Sequence, residues 1–589
     1  LGKMATKSIP YGITDYDRIV NENYYYVDKT DFIPMIEKSD SFFTFLRPRR
    51  FGKTLFLATL DAYYNIKYKD KFDFYFKDKK VYSQLTPKRN SYLVMKFDFS
   101  KVDNNIEKVY ESFNEEILLT LDKFLLYYSE YFTNDILKTF RETYYTNHKC
   151  DVALKFVFDQ AYLLNLKIYL IIDEYDNFAN SLLSRNEKDY ISLTHGDGFF
   201  RLFFNILKAH TSGNNSPIER IFITGVSPLT LSDVTSGFNI SKNHSLDYKF
   251  NSMVGFSETE VREILEYYQK ETGVFKHSVD EIIEKIKPHY NNYCFNEECL
   301  KEDRIFNTDM FWYFLSEYIN YNGKYPKEMV DKNISTDYDK MRMLIRYDKN
   351  FGHKASVIQQ IMMNEEIEAI INTEFSIAEI TDDRNLVSLL VYLGMLSIAR
   401  YQKGATILRI PNYTVKSQYY RYMKDCYKDC ISWRSDEYQL DILGRKMAYE
   451  GEALEFIDYI LSCMTDLSSN RDFDAMAESF VKGFILASMG VRMNFYVIET
   501  EKEKNHGYSD IEIIPRLDAE YAFVIELKYL KKDASDNEVK EQEAKAEIQL
   551  RQYLKDKVDN IKYQNEGITC RGVVCVVRGY KKEVLKYID

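Results

Sequence analysis

Cysteine is sparse and unpatterned in this sequence. Cys150, Cys294, Cys299, Cys426, Cys430, Cys463, Cys570 and Cys575 include no C-x-x-C pair, and the histidines are scattered. Neither a zinc site nor a disulfide framework is indicated, and a reducing cytoplasm is the expected compartment. Long apolar runs are missing as well: no stretch approaches the ~18 residues that span a bilayer, so no membrane partner is expected. Nor is there an excess of positive charge. The net charge is −11 with 29% charged residues, which excludes a global basic field and makes any nucleic-acid contact a local one.

What is present is length and two chemical centres. A chain of 589 residues should hold about three or four domains. The first centre runs from Phe42 to Thr54. Phe42-Phe43-Thr44-Phe45-Leu46 reads as a buried strand, the residues from Arg47 to Gly52 as a turn, and Lys53-Thr54-Leu55-Phe56-Leu57 as the start of a helix. Backbone N–H groups are unsatisfied at such a helix start and the dipole favours anions. A lysine there reaches terminal phosphates, and a threonine hydroxyl ligates magnesium. The pattern G-x-x-x-x-G-K-[ST] is incomplete, because its first glycine falls on Arg47, and a basic turn before an amphipathic helix is the competing reading.

A second motif counts against that competitor. Lys167 to Glu174 is a continuous apolar run ending in two carboxylates, as a strand buried on both faces of a parallel sheet reads. Asp173 would hold magnesium through water, and Glu174 would orient or deprotonate the attacking water. Thr224 and Ser227, at the end of a further strand from Ile218 to Gly225, are placed to sense a γ-phosphate or simply to cap a turn. Ser257, followed three residues later by Glu260, starts a helical lid that runs to Lys287. The aromatic run Tyr24-Tyr25-Tyr26 lies just before the P-loop strand, where it would cover a base or pack as an N-terminal strap.

The run from Ile9 to Leu60, with Tyr26-Val27-Asp28-Lys29-Thr30 and then Arg47-Pro48-Arg49-Arg50-Phe51-Gly52-Lys53-Thr54, resembles the AAA-ATPase-like family of P-loop proteins, whose members also lack the first P-loop glycine. The resemblance continues through Ile171 to Asp176, Ile223 to Pro228 and Thr235 to Ile240, about the first half of the chain. It implies an ASCE-type parallel sheet, ATP and Mg2+ as cofactors, and a nucleotide site built from Arg50, Phe51, Gly52, Lys53, Thr54, Asp173, Thr224 and Ser227, with Glu174 as the catalytic residue that activates the water. An arginine finger supplied in trans would make the chain a homo-oligomer.

A connector from 321 to 449 separates the two centres. An apolar helix from Asn385 to Leu396 precedes a hairpin turning at Lys403-Gly404, which suggests a winged-helix-like element that could contact DNA. The surrounding charge is mixed, so a structural spacer is the favoured reading.

The second centre lies near the end. Phe495 to Thr500, Tyr508 to Arg516 and Tyr521 to Tyr529 read as strands, the last two joined by so tight a turn that opposed residues should have numbers summing to about 1037 (518 + 519). Asp510 and Glu526 then face each other across adjacent strands. Lys528 projects from the same face as Glu526. Two carboxylates and an ammonium on one point suit magnesium and a water attacking a phosphodiester. Glu526 also follows Ala522-Phe523-Val524-Ile525 in a run apolar on both faces, which argues against a solvated surface.

From about Glu450 the chain resembles the PD-(D/E)XK nuclease superfamily through Asp510 and Glu526-Leu527-Lys528. That resemblance implies a restriction-endonuclease-like α/β domain, metal binding by Asp510 and Glu526, and a helical acid at Glu478. The helix that often carries Gln-Ile ahead of a tyrosine here has Glu547-Ile548 ahead of Tyr553. The expected organisation is an α/β P-loop domain over 1–320 with its lid from about 241, the connector over 321–449, and the nuclease-like domain over 450–589. The expected function is an ATPase coupled to a magnesium-dependent nuclease acting on nucleic acid, with DNA as the default substrate. The alternative is a nucleotide-controlled interaction switch with a catalytically silent nuclease-like domain. A nucleic-acid-binding structural protein is disfavoured by the acidic charge.

Overall fold

Four largely apolar runs of the first half pair side by side, with a two-residue polar strand at one edge. In the computed structural model β1 (Phe42–Leu46), β2 (Leu93–Asp98), β3 (Ile168–Asp173), β4 (Ile218–Gly225) and β5 (Lys242–Asn243) form a parallel sheet in the order β2-β3-β4-β1-β5. The structure describes residues 5–234, 241–299, 301–331, 348, 356–431, 436–465, 478–492, 494–504, 507–516, 518–558, 563 and 565–588. The motif segment at 235–240 lies outside them. β3 is buried at every position, as its unbroken apolar run requires of a strand covered on both sides. β4 is inserted between β1 and β3, the arrangement expected of an ASCE-type sheet. The carboxyl ends of β1, β3 and β4 therefore meet, and ligand sites of open parallel sheets lie outside such ends.

β1 leads through a loop into α1 (Lys53–Tyr64). Farther on, α2 (Glu258–Thr272) begins with a complete capping box, in which Ser257 Oγ accepts from the Glu260 N–H and Glu260 accepts from the Ser257 N–H. α3 (Thr308–Asn320) is capped by Asn307. The helix forms over Asp383–Tyr392, ending before the expected Leu396 because the chain turns at left-handed Gly394 (φ 74°), and the hairpin Ser397–Gln402 with Ala405–Arg409 turns at left-handed Lys403 (φ 52°) and Gly404 (φ 86°) as expected. The Arg304 guanidinium donates to the carbonyls of Ile398 (3.1 Å) and Ala399 (2.8 Å), which gives the hairpin a structural tie.

The chain divides into two compact units, Leu1–Lys324 with Ala369–Ile407 and Tyr325–Glu368 with Leu408–Asp589. The 321–449 stretch is thus shared between them. In the second unit α4 (Glu478–Gly490) precedes the sheet of β6 (Tyr496–Lys504), β7 (Gly507–Pro515), β8 (Tyr521–Leu530), β9 (Thr569–Arg578) and β10 (Lys581–Ile588), in sequential order. β8 and β9 run parallel and the other pairs antiparallel. α5 (Asp536–Val558) covers one face, with Ala546, Leu550, Tyr553 and Leu554 packed on Val524, Val574 and Val576. Among the described residues no helix is long and apolar enough to cross a membrane.

Candidate functional sites

In the first unit the loop after β1 is shaped by backbone choices. Arg50 (φ 67°) and Gly52 (φ 87°) are left-handed, and Gly52 opens α1 with no side chain capping its first N–H groups. Those groups remain for an anion. Lys53, 6% exposed, folds back to donate to the carbonyls of Arg47 (3.0 Å) and Pro48 (3.0 Å). The loop is also held from the lid: Thr308 Oγ1 and the Asp309 N–H donate to Arg50 O at 2.7 and 3.3 Å, and the Gly255 N–H donates to Phe51 O at 2.9 Å. The Phe51 ring is buried edge-on against Tyr293.

Asp173 ends β3, and Thr54 Oγ1 donates to its Oδ2 at 2.8 Å. This hydroxyl–carboxylate pair is a donor set that a divalent metal fits. Burial, and then the negative charges of Glu174 and Asp98, push the Asp173 carboxyl up to about 6. Glu174 follows in a left-handed backbone (φ 48°), a strained position of the kind that clusters at functional sites.

Thr224 and Ser227 both have protein partners. Thr224 Oγ1 donates to Phe45 O at 2.7 Å and so staples β4 to β1, while Ser227 Oγ accepts from the Leu229 N–H at 3.1 Å. The buried Asp176 carboxylate accepts from the Val226 and Ser227 N–H groups and draws the loops after β3 and β4 together. A Cβ on Gly225 would lie 2.4 Å from Asp176 Oδ1, so that approach requires glycine.

Arg47, in the place of the first P-loop glycine, is fully buried. Its guanidinium lies 4.3 Å from the Phe45 ring centre and 4.0 Å from that of Phe295. It donates to Leu46 O (3.1 Å), Phe250 O (3.2 Å) and Ser245 O. The residue that breaks the motif therefore holds the loop in place through its side chain.

In the second unit the register pairs Ile511 with Ile525 and Ile513 with Phe523. Both sums are 1036 (511 + 525; 513 + 523), which sets Asp510 opposite Glu526. The Leu527 N–H donates to Asp510 Oδ2 at 2.8 Å, and Lys528 Nζ donates to Glu526 Oε1 at 2.8 Å. The predicted trio therefore converges. Glu526 is 3% exposed; its burial, reinforced by Asp510, pushes its carboxyl up to about 7 against the pull of Lys528. Glu478 begins α4, and its side chain lies outside the described residues. Among those residues no group of three or more His, Cys, Asp and Glu is placed to hold a metal ion. Two carboxylates fit a hard divalent cation that keeps most of its waters.

Two residues of this site escaped the sequence reading. Glu512, two positions after Asp510 and so on the same face, is buried and accepts from Tyr553 Oη (2.7 Å) and Tyr563 Oη (3.4 Å). Tyr553 thus closes the polar cluster from α5, while Glu547 pairs with Lys586 at 2.5 Å. The period of two along β7 was the available signal. Lys482, one helical turn after Glu478, is buried with Nζ 3.9 Å from Asp510 Oδ1. Its cation opposes a metal on Asp510. Lys482→Met should therefore tighten Mg2+ or Mn2+ binding about tenfold by calorimetry, and unchanged or weaker binding would show that Lys482 does not act on the metal.

Residues 10–235 match the family model described as a predicted AAA-ATPase, and residues 476–583 match that of the PD-(D/E)XK nuclease superfamily. The chain carries an AAA-ATPase-like domain and a PD-(D/E)XK nuclease superfamily domain. The parallel sheet of the first unit fits a P-loop fold, and the mixed sheet of the second fits a PD-(D/E)XK domain. The two domains support a nucleotide-binding, nuclease-type function, and their families generally use nucleotide and a divalent metal. The chain is also 27% identical over 275 residues to a protein of Azotobacter chroococcum mcd 1 described as an uncharacterized protein in the vnfD 5' region, covering 44% of this chain and 45% of that protein. The chain thus spans less than half the length of this curated relative.

Proposed function

We propose that the AAA-ATPase-like domain binds and hydrolyses ATP with Mg2+, and that the PD-(D/E)XK domain is a magnesium-dependent phosphodiesterase acting on nucleic acid, with DNA as its substrate. On binding, Lys53 exchanges the carbonyls of Arg47 and Pro48 for terminal phosphate oxygens. The uncapped N–H groups of α1 take the remaining phosphate charge. Thr54 and Asp173 hold magnesium, and Glu174 orients the attacking water and accepts its proton.

In the nuclease domain Asp510 and Glu526 hold magnesium, with Glu478 as the helical acid. The ion supplies positive charge to a scissile phosphodiester. Lys528 orients the water and offsets charge developing on the phosphate. The observation that carries this reading is the meeting of Asp510, Glu526 and Lys528 on one sheet face, with Nζ and Oε1 2.8 Å apart. A buried carboxyl raised by burial and a like charge is what a site built for a cation presents when metal-free.

One observation favours a second reading. Lys482 and Lys528 lie within ion-pair distance of Asp510 and Glu526, so both carboxylates already have a protein cation beside them, as they would in the silent domain of a nucleotide-controlled interaction switch. Cleavage of single- and double-stranded DNA and of RNA, with Mg2+ or Mn2+ and with or without ATP, separates the two. Cutting by the wild type that is lost in Glu526→Ala, with only the ATP response lost in Lys53→Ala, is the expected result. No cleavage of any substrate, with nucleotide binding still dependent on Lys53, would replace the nuclease by the switch.

A further inference from the structure

Neither proposed chemistry uses a cysteine, and the cysteines are not alike. Cys150 and Cys575 are buried, and burial pushes each thiol up to about 12, where it stays protonated and inert. Cys294 and Cys299 are brought together in one loop of the first unit, with Phe295 to Glu298 between them. The backbone turns back at Asn296, whose carbonyl accepts from the Cys294 thiol at 3.1 Å and from the Cys299 N–H at 3.3 Å. The Asn296 side-chain oxygen accepts from the Glu298 N–H at 2.8 Å and tightens the turn. One oxygen thus gathers the Cys294 sulfur and the start of Cys299, and the two reduced thiols are hydrogen-bonded to each other.

Cys294 is the anchored member of the pair. Its N–H donates to Ser397 Oγ at 2.8 Å, and its carbonyl accepts from the Ile398 N–H at 3.1 Å. The next two residues are fixed as well: the Phe295 N–H donates to Asn251 Oδ1 at 3.0 Å, and Asn296 Nδ2 donates to Leu246 O at 2.7 Å. Cys294 is buried and Cys299 half-exposed, so one sulfur is held by the fold while its neighbour meets solvent. The hydrogen bond from Cys299, ahead of the positive charges of Arg304 and Arg47, holds the Cys294 thiol below its usual range despite its burial. Cys299 is raised in turn, first by that bond and then by burial and the adjacent negative charge. The pair therefore gives up one proton and keeps the other between its sulfurs.

We propose that Cys294 and Cys299 are a redox modification site, closing to a reversible disulfide when the chain meets a hydroperoxide. With the shared proton on Cys294, the half-exposed Cys299 sulfur attacks one oxygen of hydrogen peroxide. The O–O bond breaks, hydroxide leaves, and Cys299 becomes a sulfenic acid. The Cys294 sulfur then attacks the Cys299 sulfur, the S–O bond breaks, and a second hydroxide leaves. The two thiol protons end on the two hydroxides, so two thiols and one peroxide give one disulfide and two waters. The sulfurs are oxidised, the peroxide oxygens are reduced, and a dithiol reverses the change by exchange. The loop concerned carries Phe295, whose ring centre lies 4.0 Å from the Arg47 guanidinium. Oxidation therefore locks one wall of the cage around Arg47, the residue that holds the P-loop from within.

The test treats the full chain with hydrogen peroxide, blocks remaining thiols with N-ethylmaleimide, and maps tryptic peptides by mass spectrometry. No Lys or Arg separates the two cysteines, so they share one peptide. It should appear unblocked and lighter by two hydrogen atoms, and after dithiothreitol it should take two labels. The native chain should close this disulfide at least about tenfold faster than the same chain in concentrated urea, because only the fold pairs the thiols beside two guanidinium groups. Two free thiols, sulfinic acid in place of the disulfide, or closure no faster than in urea would overturn the assignment. Thermal unfolding gives a readout independent of mapping. Peroxide should raise the midpoint of the wild type by about 4 °C, reversibly with dithiothreitol, and leave Cys299→Ser unmoved. An equal rise in Cys299→Ser would show that the pair is not the site.

Discussion

Glu526→Gln should abolish cleavage and at the same time stabilise the metal-free nuclease domain at pH 8. The fold disfavours the ionised Glu526, because its carboxyl is raised from 4.5 to about 7 by burial and by Asp510. For a raised carboxyl, stability is greatest where both folded and unfolded forms are protonated. It falls as pH rises from about 4.5 and the deficit is complete above about 7. A displacement of that size corresponds to roughly 3 kcal/mol. The amide removes the ionisation while its oxygen still accepts from Lys528. With chelator present, hydrogen exchange of β8 amides should therefore slow in the variant at pH 8 and match the wild type at pH 5. Cleavage should fall about a thousandfold, because an amide would be a poor replacement for the carboxylate in its proposed role as metal ligand. Equal exchange at pH 8 would mean that burial does not strain the carboxylate; retained cleavage would place the chemistry elsewhere.

Restoring the motif glycine should damage the protein. Arg47→Gly removes a fully buried side chain from between Phe45 and Phe295 and leaves the carbonyls of Ser245 and Phe250 without this donor. Cavity formation and unsatisfied acceptors together should destabilise the P-loop domain by about 3 kcal/mol or more. Arg47→Lys should recover only part of this, since one ammonium cannot reproduce a planar fork stacked between two rings. Thermal unfolding without nucleotide measures both. A glycine variant as stable as the wild type would show that the guanidinium is dispensable and that Arg47 is only a neutral departure from the pattern.

The two variants differ in what they probe. Glu526 is held at a loss in the empty fold and becomes useful when charge is neutralised there, as expected of a functional group. Arg47 has its stacking surfaces and carbonyl partners in the empty fold already, as expected of a structural one. Their contrast separates ligand-dependent from ligand-independent electrostatics within one chain.

Local pattern carried a large part of the fold. The apolar runs at Phe42 and Lys167 indicated buried strands because they are shorter than an ordinary helix, rich in β-branched and aromatic residues, and bounded by turn or charged residues. Ser257 and Glu260 determined a helix start through reciprocal capping bonds within four residues. The short connection between β7 and β8 brought the register to within one residue, 1037 expected against 1036 observed, and so indicated the approach of Asp510 to Glu526.

Other features depend on residues distant in sequence, and only the tertiary structure decided them. Arg47 is structural because Ser245, Phe250 and Phe295 come to surround it. Thr224 meets Phe45, and Lys482 meets Asp510, only after sheet order and helix docking are set. Sequence spacing determines interactions whose partners lie within one turn or one hairpin; long-range packing decides which buried charges face each other.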